Sequence, residues 1–329
     1  MRGTDLHPLR RRSTGMSIRA LLLVVAALVA APAALADGGP MYSLQGGAGI
    51  AAPQSTHYVA VPTNSGDTTL LVLKHGTVFS WQSIVGSYGI PMTTYRDTGG
   101  LSRDAKSLVL QSTTYFGAPD ATTTHFLVVN TRTLRTEDGF FLKGIFAFDA
   151  LSPDGTRLYL TQHLDANNVS RYVVRAYDLT RDRLVPGRIA DRTQKSWVMQ
   201  GNALTRTTSP GGRWVYTLYQ NYGGYPFIHA LDTVRGVAHC IGLPWRSTTD
   251  QNGLMNVRLT LNGSRLAVHW QSGRPWLDVD TRTWRVTPDA GAHFPWLWLW
   301  LGIGVGLATS LLLLIRRIRP EGTLSARPA

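Results

Sequence analysis

The chain has 329 residues, with 33 Lys plus Arg against 20 Asp plus Glu and a single cysteine, Cys240. That length holds one large domain or two small ones, and one cysteine excludes a fold built on internal disulfides. The net +13 is partly terminal, with +4 in the first 36 residues and +3 in the last 14; the body carries no Lys/Arg helix, RNA-binding motif or zinc-finger spacing, so nucleic acid is not an expected partner.

Residues 1–36 read as a secretory signal peptide. Arg19 closes a basic region, "ALLLVVAALVA" is an apolar core, and Ala34-Leu35-Ala36 is a small-x-small cleavage site before Asp37. Met16 is an alternative start. Residues 37–57 form an N-terminal segment too short for a repeat of the kind that follows.

From Tyr58 to Thr287 two signals recur in step. "LSRDAKSLVL", "LSPDGTRLYL", "TSPGGRWVYT" and "LTLNGSRLAV" each join a strand to a second strand through a tight turn. Their Ser102, Ser152, Ser209 and Thr260 fall 50, 57 and 51 residues apart. "FLVVNTRT", "VVRAYDLTRD", "FIHALDTVRG" and "WLDVDTRTW" each end an apolar strand in Asn or Asp. Asn130, Asp178, Asp232 and Asp280 are 48, 54 and 48 residues apart, and such side chains favour Asx turns by accepting amides two residues on. One full unit predicts strand A at Ile145–Leu151, B at Arg157–Gln162, C at Arg171–Asp178 and D at Arg183–Ile189. Four short antiparallel strands every 50 or so residues describe a propeller blade. The fold class is therefore all-β, a β-propeller of about five four-stranded blades at 58–287 with one C-terminal transmembrane helix. Six blades, one irregular, is the alternative. The first blade lacks an evident strand A, which Met41–Gln45 could supply. The "SPDG" turn with its following apolar strand resembles the WD-repeat-like propellers of the TolB and YVTN type, across most of the chain after the signal.

No catalytic signature accompanies this repeat. HExxH, GxSxG and a Walker loop are missing, and the His residues are scattered singly. His229 and Cys240 read as buried strand residues. "DANN" at Asp165–Asn168 lacks a calcium ligand ladder. Catalytic, cofactor and metal residues are accordingly given as none. A glycosidase-like hydrolase needs at least two convergent carboxylates; Asp97, Asp149 and Asp191 lie near strand A and make that the competing reading.

The repeat also sorts the loops. A–B and C–D turns share one end of each blade, and B–C and D–A loops share the other. The first end gathers Arg103, Arg132, Arg157, Arg181, Arg213, Arg235, Arg265 and Arg282, a basic ring suited to an anionic envelope polymer or an acidic protein. The second end carries Trp81, Trp197, Tyr222, Tyr225, Trp245 and Arg246, a rim suited to a membrane or partner surface.

After a linker at 288–293, "FPWLWLWLGIGVGLATSLLLLI" runs from Phe294 to Ile315 without a charge. As a helix its 22 residues span roughly 33 Å, enough for a hydrocarbon core. Trp296, Trp298 and Trp300 form an interfacial belt, and "RRIR" follows, which places the tail 316–329 in the cytoplasm. Gly302 and Gly306 form a GxxxG that allows a homodimer through the helix. The expected protein is thus a type I, single-pass membrane protein, bacterial by its arginine-rich composition and short tail. Its exported propeller acts as a non-catalytic binding or scaffold module.

Overall fold

The computed structural model describes residues 43–94, 97–113, 123–165, 170–191, 193, 198–221 and 223–288. The signal peptide, the apolar run with Gly302 and Gly306, the tail, Trp197 and Tyr222 lie outside the described residues. Among those described, the only regular helix is a short 3-10 turn at Asn252–Asn256; none is long and apolar enough to cross a membrane. The chain divides into a first unit that ends at Leu261 and a second that begins at Asn262.

The first unit is a succession of antiparallel meanders. Strand β1 (Ser43–Leu44) precedes a first sheet of β2 (Ile50–Ala52), β3 (Thr56–Pro62), β4 (Thr68–Lys74) and β5 (Thr77–Ile84), paired in that order. The second sheet holds β6 (Tyr88–Pro91), β7 (Ser107–Ser112), β8 (Thr123–Asn130) and β9 (Thr136–Lys143). The third is β10 (Ile145–Leu151), β11 (Arg157–His163), β12 (Arg171–Asp178) and β13 (Arg183–Leu184), with β14 (Met199–Gln200) also on β12. The fourth is β15 (Asn202–Thr208), β16 (Trp214–Gln220), β17 (Phe227–Asp232) and β18 (Val237–Gly242). Strand β19 (Val257–Asn262) closes the unit, with its last residue, Asn262, counted in the second. In the second unit β20 (Arg265–Trp270), β21 (Pro275–Asp280) and β22 (Val286–Pro288) pair in order.

The expected N-terminal contribution is corrected. β1 does not complete the first sheet. It joins the inner edge of the second, with Ser43 opposite Pro91 and Leu44 opposite Ile90. The first sheet makes its own inner strand from Ile50–Ala52, folded onto β3 through Gln54 and Ser55, both at positive φ. Strand D of the third sheet is also shorter than expected. Pro186 and Gly187 interrupt it, and Ile189 returns only as an isolated bridge to Val174.

A sheet with apolar residues on both faces must be covered on both, and the first four sheets, all in the first unit, pack each on the next in sequence. Leu70 and Val72 of the first meet Ile90, Leu108 and Leu110 of the second. Phe126 and Phe140 of the second meet Phe146, Leu158 and Tyr177 of the third, with Phe140 stacked on Tyr177 at 3.8 Å. Tyr159 of the third meets Val215 and Leu231 of the fourth, and its buried hydroxyl donates to Thr233 O at 2.6 Å. This is the packing logic of blades, in which neither face of a central sheet sees water.

The repeated turns share one chemistry. Ser152 Oγ accepts from Arg157 N and Ser209 Oγ from Trp214 N, both at 2.9 Å, and Ser102 Oγ takes the amides of Lys106 and Ser107. The fourth residue of each turn needs positive φ. Gly155 and Gly212 supply it readily, and Ala105 adopts it at 55° against its steric preference. Asn130, Asp178, Asp232 and Asp280 each accept two amides two and three residues on, closing Asx turns.

These turns predict acid lability. The Ser102 hydroxyl, then Lys106, lowers Asp104 from 3.8 to about 2. Asp154 is lowered chiefly by Ser152, Asp178 by the Thr180 hydroxyl and Asp280 by the Arg282 amide. At Asp232 burial pushes upward, and the Arg213 guanidinium with the turn amides overrides it. Each carboxyl is more acidic folded than unfolded, so its contribution is complete above 3.8 and drains away as pH falls through that value toward 2. The thermal midpoint should therefore fall steeply below about pH 4, on top of a gentler loss that begins below 6.5, where the unfolded chain protonates His125 and His229 while burial keeps them neutral in the fold. A flat profile to pH 2.5 would show that the turns do not couple to stability.

Candidate functional site

Three places were legible as candidates: the turn end, the loop end and the carboxylates of the inner strands.

At the turn end, the C–D turn of each sheet hydrogen-bonds its own A–B turn. Thr131 N donates to Lys106 O, Leu179 N to Thr156 O and Thr233 N to Arg213 O, and in the second unit Thr281 N to Ser264 O. Within the first unit the turns of three sheets also converge. A Cβ on Gly212 would lie 3.4 Å from the Pro153 ring and 3.7 Å from Arg103 Cδ. A groove of about 620 Å³ between the second and third sheets is lined by Arg103, Asp104, Lys106, Asn130, Glu137 and Asp154 among others.

The eight arginines divide by partner. Arg181 pairs with Asp178 at 3.0 Å, Arg213 with Asp232 at 2.6 Å and, in the second unit, Arg265 with Asp278 at 2.7 Å. Arg103, Arg132, Arg157 and Arg235 of the first unit are exposed, and no carboxylate among the described residues lies in ion-pair range of them. Arg282 of the second unit is exposed too, with its amide on Asp280. The paired arginines are turn staples and the others are exposed without a carboxylate partner, Arg157 lying against the Tyr159 hydroxyl. Asp104, Glu137 and Asp154 are interspersed, so the surface is mixed with a basic excess.

At the loop end Tyr225 is 59% exposed, whereas Trp81, expected there, is mid-strand on β5 opposite Leu71 and 64% exposed. Trp245 is half-buried, its indole N–H donating to Asp250 O at 2.7 Å, and Arg246 reaches Asp250 loosely at 3.6 Å. The rim is thus partly surface and partly loop packing.

Two of the three carboxylates converge on Arg206, Asp97 on its amide and Asp149 on its guanidinium. Residues 92–100 leave the second sheet between Pro91 and Leu101, and Thr94 N bonds Ala203 O of the fourth. That excursion delivers Asp97, whose Oδ2 accepts the Thr205 hydroxyl at 2.5 Å and Arg206 N at 2.7 Å. Asp149 of β10 is fully buried and pairs with the Arg206 guanidinium at 3.2 Å. The guanidinium also donates to Thr217 Oγ1 and lies over the Phe148 ring. Asp191 sits apart, accepting from Cys240 N at 2.8 Å and from the His239 ring at 2.9 Å. Beside it a cavity of about 360 Å³ is lined by Asp191, Cys240, Met199, Tyr225 and Phe227 among others. Burial pushes the Cys240 thiol up to about 12 and lowers His229, leaving a thiol and a neutral imidazole, 3.8 Å apart. A carboxylate locked on a buried guanidinium is a poor general acid or nucleophile. No group of three or more His, Cys, Asp or Glu among the described residues is placed to hold a metal ion.

No family model and no curated protein matches the chain. Similar solved structures include TolB from Acinetobacter baumannii (14% identity over 72% of this chain and 52% of TolB, TM-score 0.38). They also include the Dos1 propeller (12%, 71% and 56%, 0.43) and prolyl endopeptidases (11%, 74% and 35%, 0.42). The chain spans about half the length of TolB. These likenesses include a propeller and peptidases alike and carry no activity to this chain.

Proposed function

We propose that this protein is a membrane-anchored, extracytoplasmic β-propeller that acts as a binding or scaffold module. Its turn end takes an anionic envelope polymer or an acidic protein surface. The single supporting observation is the set of exposed arginines without carboxylate partners, Arg103, Arg132, Arg157 and Arg235, on turns whose other arginines are neutralised. Planar guanidinium forks suit phosphate and carboxylate, and unpaired ones pay little desolvation to reach them. The carboxylates of the inner strands are held by Arg206, Thr205 and backbone, which supports a non-catalytic reading over a hydrolase.

The test uses the full chain in phospholipid nanodiscs, with poly(glycerol phosphate) and poly-L-glutamate as probes. Changing Arg103, Arg132, Arg157 and Arg235 together to Gln should weaken binding by about tenfold or more, and rising salt should do the same to the parent. Binding that ignores both the substitutions and the salt would overturn the proposal, as would a parent that binds neither probe.

A further inference from the structure

We infer that the loop end of the first unit is a lipid-binding surface that seats on the bilayer, an inference that rests on the anchored reading above. Large apolar side chains are exposed there on successive sheets: Val85, Phe141, Leu164, Tyr225 and Met255, at 86, 69, 42, 59 and 39%. Val85 follows β5, Phe141 lies near the end of β9 and Leu164 follows β11. Tyr225 stands between β16 and β17, and Met255 in the 3-10 turn before β19. Val85, Phe141, Leu164, Tyr225 and Met255 are at or near strand ends remote from the Arg-bearing turns, whereas Trp81 is mid-strand on β5, opposite Leu71. Phe79 is also exposed but belongs to the other end, where Lys74 covers its ring at 3.6 Å.

Two of these positions sit beside one aromatic group. A groove of about 370 Å³ brings Val85 beside Tyr88 and His125. The His125 ring stacks on Phe141 at 3.6 Å and hydrogen-bonds the Tyr88 hydroxyl through Nδ1. The apolar tips therefore stand on an ordered aromatic base. Exposed Lys143, Arg171 and Arg246 share the end, against Asp165 and Asp250. Trp, Tyr and Phe beside Lys and Arg is the composition of a membrane interface.

The occupant follows from the spacing and from the chain itself. The apolar tips come one or two to a sheet, whereas a protein partner selects a contiguous, closely packed core. A soft headgroup layer accepts separate fingers. Five residues, 289–293, separate the last strand, β22, from the uncharged 22-residue run, roughly 17 Å when extended. An anchor of this kind keeps the whole chain at high local concentration beside the bilayer, where even weak insertion is populated.

The test places one bimane label per molecule, in a Cys240→Ser background, on the full chain in phosphatidylcholine–phosphatidylglycerol nanodiscs. Labels go at Val85→Cys, Phe141→Cys and Leu164→Cys, with Val234→Cys on the turn end as reference. Quenching by doxyl-labelled lipid should be at least about threefold stronger at 85, 141 and 164 than at 234. Equal quenching at all four, with the chain retained in the disc, overturns the lipid surface and leaves the anchor standing. Shielding from aqueous iodide without lipid quenching means a protein contact and also overturns it. A chain that does not enter discs removes the anchored reading and this inference together.

Discussion

Arg206→Ala should lower stability by about 3–5 kcal/mol, because it leaves the fully buried Asp149 carboxylate without its counter-charge. For a body of this size that is a fall of roughly 10 °C in the thermal midpoint. Solvent cannot rescue the site, since the guanidinium is 8% exposed and the carboxylate 0%. Two controls separate charge from packing. Arg206→Met keeps much of the volume and should lose nearly as much stability. Arg206→Met with Asp149→Leu removes both charges and should recover most of the loss, since a buried ion pair and a packed apolar pair are often near balance. Asp97 keeps the Thr205 hydroxyl and the backbone amide of residue 206 in every case. Melts of the three variants decide the matter; a single variant that loses less than about 1 kcal/mol would show the pair to be dispensable.

Gly201→Ala should be comparably severe. The residue has φ of 133°, and an added Cβ would sit 2.1 Å from Gln220 O and 3.0 Å from Gln220 C. Both are backbone atoms, and Asn202 opposite Gln220 is the first pair between β15 and β16. Relief requires prising that pair apart, at a cost of about 3 kcal/mol or more. Gly155→Ala is the matched comparison, with φ of 70° but nothing within 4 Å of the new Cβ; conformational preference alone should cost about 1 kcal/mol. Equal losses in the two melts would refute the clash and leave only the dihedral effect.

The parts of the fold that sequence made legible are those governed by local chemistry. Ser152 and Asp178 announce their turns because a short polar side chain bonds amides within five residues of itself. The runs Ile145–Leu151 and Arg171–Asp178 coincide with β10 and β12 because both are apolar on two faces and bounded by such turns. What was missed depends on distance. Ile50–Ala52 is three residues without an SPDG turn, and nothing local says that Leu44 pairs with Ile90. The site was half legible. Asp149 stands as a lone charge in "FAFDAL", which marks it as a residue that needs a partner. Its partner is 57 residues away, and Asp97 reaches Arg206 across 109. Arg206 gave no sign, because an arginine in "NALTRTT" reads as an ordinary solvent-facing strand position. Among the ring arginines, sequence placed them on turns but did not separate those held by Asp178, Asp232 and Asp278 from those left open.

The meander and the Asp97–Asp149–Arg206 cluster have different clocks. Apart from β1 on β6, the sheets of the first unit pair strands close in sequence, so each can form as soon as its own stretch of chain is available, with little loop entropy lost. The cluster cannot. Asp97 and Asp149 are delivered by the second and third sheets and wait for Arg206 in the fourth. A chain emerging from its N-terminal end thus carries an uncompensated acidic centre until β15 arrives. Arrival of a single cation then makes assembly of the first three sheets contingent on the fourth, a late checkpoint built from one side chain.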